Sequence, residues 1–304
     1  MTDILQALLS GLALGGVYAL VALGFSITQT TTKTLNFGQG EFLMAGALVA
    51  VSALALVGGK GGAPLVPSDV TITRYALAIL VVLGFLAALG VLMFLTAVRP
   101  FVHSGGMSWI MSTIGFGILL QNSALMIWGP GTLVLPSPLG ESVIRIGGAG
   151  IRAQELLVIA VSGIVVLALD HVLRRTRIGK AVRAVAANPD AAALMGIDVR
   201  AFVIGAFVLS SSLAGLAGVL VAPITTASAF MGLGIALKAF SAAILGGLTS
   251  PRGCIAGGFI LGCLEAGVGL WRDEWREISM FLLIIVVLVL RPAGLFGRAE
   301  FEKV

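Results

Sequence analysis

The sequence predicts an all-α, polytopic transmembrane helix bundle, Gly-rich, with eight or nine spans in a single domain over residues 1–304. Three observations predict it. Only 11% of the residues are charged and 58% are hydrophobic, whereas soluble domains are about a quarter charged. Apolar runs recur at close to the roughly 20 residues that cross a bilayer, without the apolar–polar alternation of a membrane barrel. The 41 glycines fall at three- and four-residue spacings in GLALGG (11–16), LAGLAGVL (213–220) and IAGGFILG (255–262). Small residues so spaced let helices pack closely in lipid, where no hydrophobic force drives one helix against another.

In chain order the spans read 4–30, 38–58, 75–97, 107–128, 154–172, 201–222, 234–248, 253–271 and 276–290. The seventh and ninth are short, and merging or half-inserting the seventh gives eight. The opening MTDILQALLSG has no basic segment and runs on into the first span, so it reads as a span and not as a cleaved leader. Lys and Arg set the orientation, because they stay on the cytoplasmic side of short loops. With the N-terminus outside, twelve face in: Lys33, Arg99, Arg174, Arg175, Arg177, Lys180, Arg183, Arg200, Arg252, Arg291, Arg298 and Lys303. Six face out (Lys60, Arg74, Arg145, Arg152, Arg272 and Arg276), and Lys238 lies within a span. The expectation is therefore N-terminus outside, C-terminus cytoplasmic. The outer loop 129–150 carries Gly and Pro turn signals and is too short for a domain.

Enzymatic chemistry finds no footing here, and no catalytic residue is expected. No Gly-x-x-x-x-Gly-Lys-Ser/Thr loop is present to cradle a nucleotide. His103 and His171 stand apart from Cys and carboxylates, so no metal site is expected. Cys254 and Cys263 are about 13 Å apart along one helix, too far for a disulfide. The net charge of +5 follows from the positive-inside bias and calls for no nucleic acid. A secondary transporter or channel would use short Gly-interrupted spans such as 234–248, but no Asp/Glu/His relay crosses the middle of this chain.

One stretch breaks the apolar pattern. Around RTRIGKAVRAVAANPDAAALMGIDVR (175–200), Arg174, Arg175, Arg177, Lys180, Arg183 and Arg200 crowd the loop between spans five and six. Asn188 suits a helix N-cap, Pro189 the first helical position, and Asp190 the positive end of the helix dipole. Gly196 suits the left-handed residue that ends a helix. The resulting helix of about seven residues is too short to be stable alone in water. Leu194, Met195 and Ile197 offer it an apolar contact with a soluble partner, and Arg183 a charged one with that partner or with anionic lipid. The other reading is a helix resting on the lipid surface.

GKAVRAVAANPDAAALMGIDV resembles the cytoplasmic coupling loop of permeases in ATP-binding-cassette importers for branched-chain amino acids. GGVYALVALGFSITQTTTKTLNFGQGEFLMAGAL (15–48), LAGLAGVLVAPIT (213–225) and LKAFSAAILGGLTSPRGCIAGGFILG (237–262) agree. The resemblance implies a non-enzymatic permease subunit in a bacterial cytoplasmic (inner) membrane, with its coupling loop at about 173–200. It implies a sister permease, two cytoplasmic ATPase subunits that bind ATP and Mg, and an extracytoplasmic substrate-binding protein. It also implies the fold of ten-span importers with one N-terminal span fewer. Urea, short amides and aromatic acids are substrates within the same family. Gln39 stands where the family often has His, which removes an ionisable group from the Asn36–Glu41 motif.

A translocation path draws on polar residues within the spans. Asn36, Gln39 and Glu41 lie at the start of span two, where Glu41 reads either as lining the inner gate or as capping a helix. Lys238 reads as a path residue or as a side chain reaching to the interface. Glu265 faces the outer vestibule or pairs with a nearby cation. Thr113, Gln121 and Asn122, with Ser26, Thr28, Thr30 and Ser210 to Ser212, offer neutral hydrogen bonds to a passing zwitterion.

Overall fold

A computed structural model describes residues 2–58, 65–67, 70–101, 108–140, 142–146 and 148–297; His103, Lys60, Arg298 and Lys303 lie outside them. Each of the nine expected spans is a helix. They are α1 (Thr2–Thr32), α2 (Gln39–Val57), α3 (Ile72–Met93), α4 (Ser108–Trp128), α5 (Ala153–Arg175), α8 (Val199–Thr225), α9 (Met231–Gly246), α10 (Pro251–Gly269) and α11 (Trp275–Leu290). A five-residue π-helical segment, Phe94–Val98, prolongs α3. Seven of these helices are long and apolar enough to cross a membrane. The other two, α9 and α11, have 16 residues each, about 24 Å, short of a ~30 Å hydrocarbon core.

Two elements depart from the sequence reading. The turn-rich outer loop contains an antiparallel hairpin, β1 (Val143–Ile146) against β2 (Ala149–Arg152). Val-Ile-Arg-Ile is rich in the β-branched residues that favour strands, and Gly148 turns the chain at φ 90°. The charged loop holds two helices instead of one, α6 (Arg177–Ala187) and α7 (Pro189–Leu194). The Thr176 hydroxyl separates α5 from α6: it donates to the Val172 carbonyl at 2.7 Å and accepts from the Gly179 N–H at 3.3 Å.

Helix α1 is the axis. Every residue from Gly15 to Thr28 is buried, as an apolar surface all round the helix requires. It crosses α10 at glycines on both sides: a Cβ built at Gly262 would lie 2.4 Å from the Gly11 carbonyl oxygen, and one at Gly258 2.6 Å from the Ala19 nitrogen. Helices α2 and α8 meet likewise, with a Cβ at Gly46 falling 2.4 Å from the Gly215 oxygen.

The bundle has two distinguishable ends. At one, here the hook end, α6 and α7 project, Arg252 of α10 pairs with Asp170 of α5, and the Leu295 N–H bonds the Leu245 carbonyl. At the other, the hairpin end, Leu133 bridges Ala227, and Ser137 donates to Gln154, whose amide donates to the Leu220 carbonyl.

Gly46→Ala should lower the melting temperature of the purified chain, since overpacking costs about 1–3 kcal/mol. Gly84→Ala, where a Cβ would meet nothing within 4 Å, should leave it unchanged or raise it. Differential scanning fluorimetry checks both; equal melting of the two variants contradicts backbone contact as the packing principle.

Candidate functional site

Helix α2 does not begin at the hook end. Its first residue, Gln39, packs against Gly24 of α1, eight residues and about 12 Å before α1 stops at Thr32. The Gln39 side chain explains the depth. Its amide donates to the Ser210 carbonyl at 3.0 Å, and its oxygen accepts from the Ser210 hydroxyl at 2.9 Å and from the Asn36 amide at 3.2 Å. Asn36 in turn accepts the Gly38 N–H at 3.0 Å. Both side chains are buried, so Gln39, held by Asn36, anchors the start of α2 to α8 and packs it against α1.

Helix α9 begins beside it. A Cβ at Gly40 would sit 2.7 Å from the Gly232 carbonyl oxygen, so two helix N-termini meet inside the bundle. Glu41, in the first turn of α2, adds negative charge where the helix dipole is positive. Its carboxylate lies against Gly117 of α4 and is half-buried. Thr113, one turn away on α4, is buried and donates to its own helix at Ile110. Gln121 donates to the Ala229 carbonyl just before α9, at 3.2 Å. Asn122 is exposed on α4 and donates to Ile118. Thr28 and Thr30 likewise bond carbonyls of their own helix, Thr30 that of the buried Ser26.

Lys238 and Glu265 come together. The Lys238 ammonium lies 2.6 Å from one Glu265 oxygen, and Tyr18 donates to the other at 2.6 Å. Glu277 of α11 stands 3.8 Å from the same ammonium. Tyr18 and Glu265 are buried, and the Lys238 side chain keeps 20% of its surface exposed. The pair thus ties short α9 to α10 and α1. Tyr18 escaped the sequence reading; an aromatic hydroxyl one helix away in space leaves no spacing signal in the chain.

The charged loop is a succession of caps. The Asn188 side chain accepts the Ala191 N–H at 3.0 Å, Pro189 takes the first helical position, and Asp190 lies in the first turn. Gly196 has φ 81°. Its N–H bonds Ala193, and that of Ile197 bonds Ala192, the paired bonds of a Schellman stop. The Asp198 side chain accepts the Ala201 N–H and opens α8. Leu194 and Met195 are 89% and 83% exposed. Ile197, expected to be exposed with them, is half-buried, because the stop folds it back. Arg183 donates to the Leu173 carbonyl at the end of α5, which fixes α6 onto that span.

A family model described as the permease component of branched-chain amino acid transport systems matches residues 7–288. The chain belongs to this family of permeases. It is 32% identical to the high-affinity branched-chain amino acid transport system permease protein BraD of Pseudomonas aeruginosa over 310 residues, 99% of this chain and 98% of that one. Identity is also 32% with the corresponding LivH of Escherichia coli K12, over 99% of this chain and 97% of the relative. The D-allose transport system permease protein AlsC of E. coli is 28% identical over 87% of this chain and 82% of its own length. No solved structure matches. The permease is a multi-pass integral membrane protein, and among its described residues no group of His, Cys, Asp or Glu is arranged to hold a metal.

Lys238→Met should lower the melting temperature, because removing one partner of a buried pair costs about 3–5 kcal/mol. Lys238→Met with Glu265→Gln should recover most of the loss. If the double variant melts no higher than the single one in detergent, the pair does not hold α9 in place.

Proposed function

We propose that this permease forms half of the membrane path of an ATP-binding-cassette importer for branched-chain amino acids. Near-full-length similarity to two high-affinity branched-chain amino acid permeases carries the reading. Its partners are a sister permease, two cytoplasmic ATPase subunits holding ATP and Mg, and an extracytoplasmic binding protein. The hook end faces the cytoplasm, because Arg174, Arg175, Arg177, Lys180, Arg183 and Arg200 gather there. The membrane is the bacterial cytoplasmic one.

The residues from Leu173 to Arg200 couple the ATPase to the spans. An ATPase groove covers Leu194 and Met195, whose exposure at the tip of a capped helix supports the assignment. Movement passes through Asn188, Pro189 and Asp190 into α6, and through Gly196 and Ile197 into α8. Glu41, Gln121 and Asn122 offer the path polar groups beside the paired starts of α2 and α9, as interrupted helices do in other transporters. Lys238 and Glu265, already neutralising each other, present little net charge to a zwitterion. Substrate choice then rests largely with the binding protein; the sugar permease among the relatives makes uptake of a non-amino-acid solute the alternative outcome.

Gly196→Val tests the coupling. A Cβ there meets no atom within 4 Å, so the change acts through backbone strain alone, about 1–3 kcal/mol. Asn188→Ala removes a cap worth about 1 kcal/mol. In proteoliposomes both should keep assembly and basal ATP hydrolysis while losing stimulation by loaded binding protein and uptake of radiolabelled leucine. Wild-type rates for an assembled Gly196→Val complex would show that α7 is only a surface anchor.

Orientation is read by single cysteines at the exposed positions Thr132 and Ala187, in a chain with Cys254 and Cys263 replaced by Ala. An impermeant maleimide should label Thr132→Cys from outside intact cells and Ala187→Cys only after permeabilisation. The reverse pattern inverts the assignment.

A further inference from the structure

At the hook end, between the last turn of α5 and the first of α10, a cavity of about 430 Å³ is lined by Leu167, Asp170, His171, Arg174, Arg175 and Arg252. Its charges do not balance. Asp170 receives Arg252 through two bonds, 2.7 and 2.8 Å, and Arg174 at 3.2 Å. Arg175 has no acidic partner among the described residues. Three guanidinium groups thus line the cavity against a single carboxylate, which pairs with only two of them, leaving an excess of two positive charges among these four groups. The Asp170 side chain holds two of the guanidinium groups in place while leaving each about half exposed.

The surroundings are amphipathic. The cavity lies where two apolar spans end, at a boundary between hydrocarbon and water. Its floor, Leu167, is 71% exposed, and Ile164 below it is 67% exposed, so an apolar track runs down α5 from a basic rim. A free anion would need only the rim. A molecule with a phosphate head and hydrocarbon tails would use both parts, and a basic pocket between helices at a membrane surface suits such a headgroup.

We propose that this cavity binds the phosphate of an anionic phospholipid, with Arg174, Arg175 and Arg252 on the headgroup and an acyl chain along Leu167 and Ile164. The lipid would brace α5 against α10 at the level from which α6 departs.

The test uses the full-length permease in its assembled complex, delipidated in detergent and titrated with phosphatidylglycerol or phosphatidylcholine, with bound lipid counted by native mass spectrometry. Wild type should retain phosphatidylglycerol in preference to phosphatidylcholine. Arg174→Gln with Arg175→Gln should weaken that retention about thirtyfold, and Arg175→Gln alone, which breaks no ion pair, about fivefold. Arg272→Gln, at the hairpin end, should have no effect. Equal retention of the two lipids, or unchanged phosphatidylglycerol binding in both rim variants, overturns the proposal. So does displacement of the lipid by millimolar inorganic phosphate, which would mark a free-anion site. Retention by the isolated permease that vanishes on assembly also overturns it, since a partner subunit would then cover the cavity.

Discussion

Backbone contact at glycine is the constraint on which the rest of this structure depends. In lipid, apolar side chains gain nothing by leaving one hydrocarbon surface for another, so dispersion and close approach must hold the helices. The α1–α10 and α2–α8 crossings supply that approach at Gly11, Gly258 and Gly262, and at Gly46 and Gly215. With α1 enclosed on all sides from Gly15 to Thr28, the other helices have a fixed post against which to tilt or break.

That fixed post makes the irregular parts affordable. Helix α2 starts deep because Gln39 finds the backbone and hydroxyl of Ser210 on α8, and the Asn36 amide, in place of water. Backbone that leaves helical geometry at membrane depth survives only where protein satisfies it. Helix α9 opens against Gly40 in a similar way and is held in its middle by Lys238 on Glu265, whose other oxygen accepts from Tyr18. A buried charge pair of this sort fixes which groups face one another more than it adds stability.

The charged loop obeys the opposite rule. It leaves the membrane, so it is built from local chemistry: Thr176, Asn188, Gly196 and Asp198 each start or stop a helix within a few residues. Six-residue α7 is stable only as part of that capped chain, and the side chains at its end, Leu194 and the capping Met195, are apolar and exposed. Stiff local geometry with an apolar tip is what a mechanical contact between subunits needs.

The sequence by itself determined the membrane class, the nine helical segments and α7 with its cap, proline and terminal glycine. All of these are written in runs of neighbouring residues, through apolar length or through the short-range hydrogen bonds of caps. Helix α6 was also local, but its cations masked the Thr176 cap and the apolar face that includes Val185. Only the tertiary structure decided that Gln39 is an anchor, that Lys238 and Tyr18 meet at Glu265, and that Asp170 gathers two arginines. Lys238 and Glu265 are separated by 27 positions and Tyr18 and Glu265 by 247. No periodicity connects them; helix crossings set by glycine do.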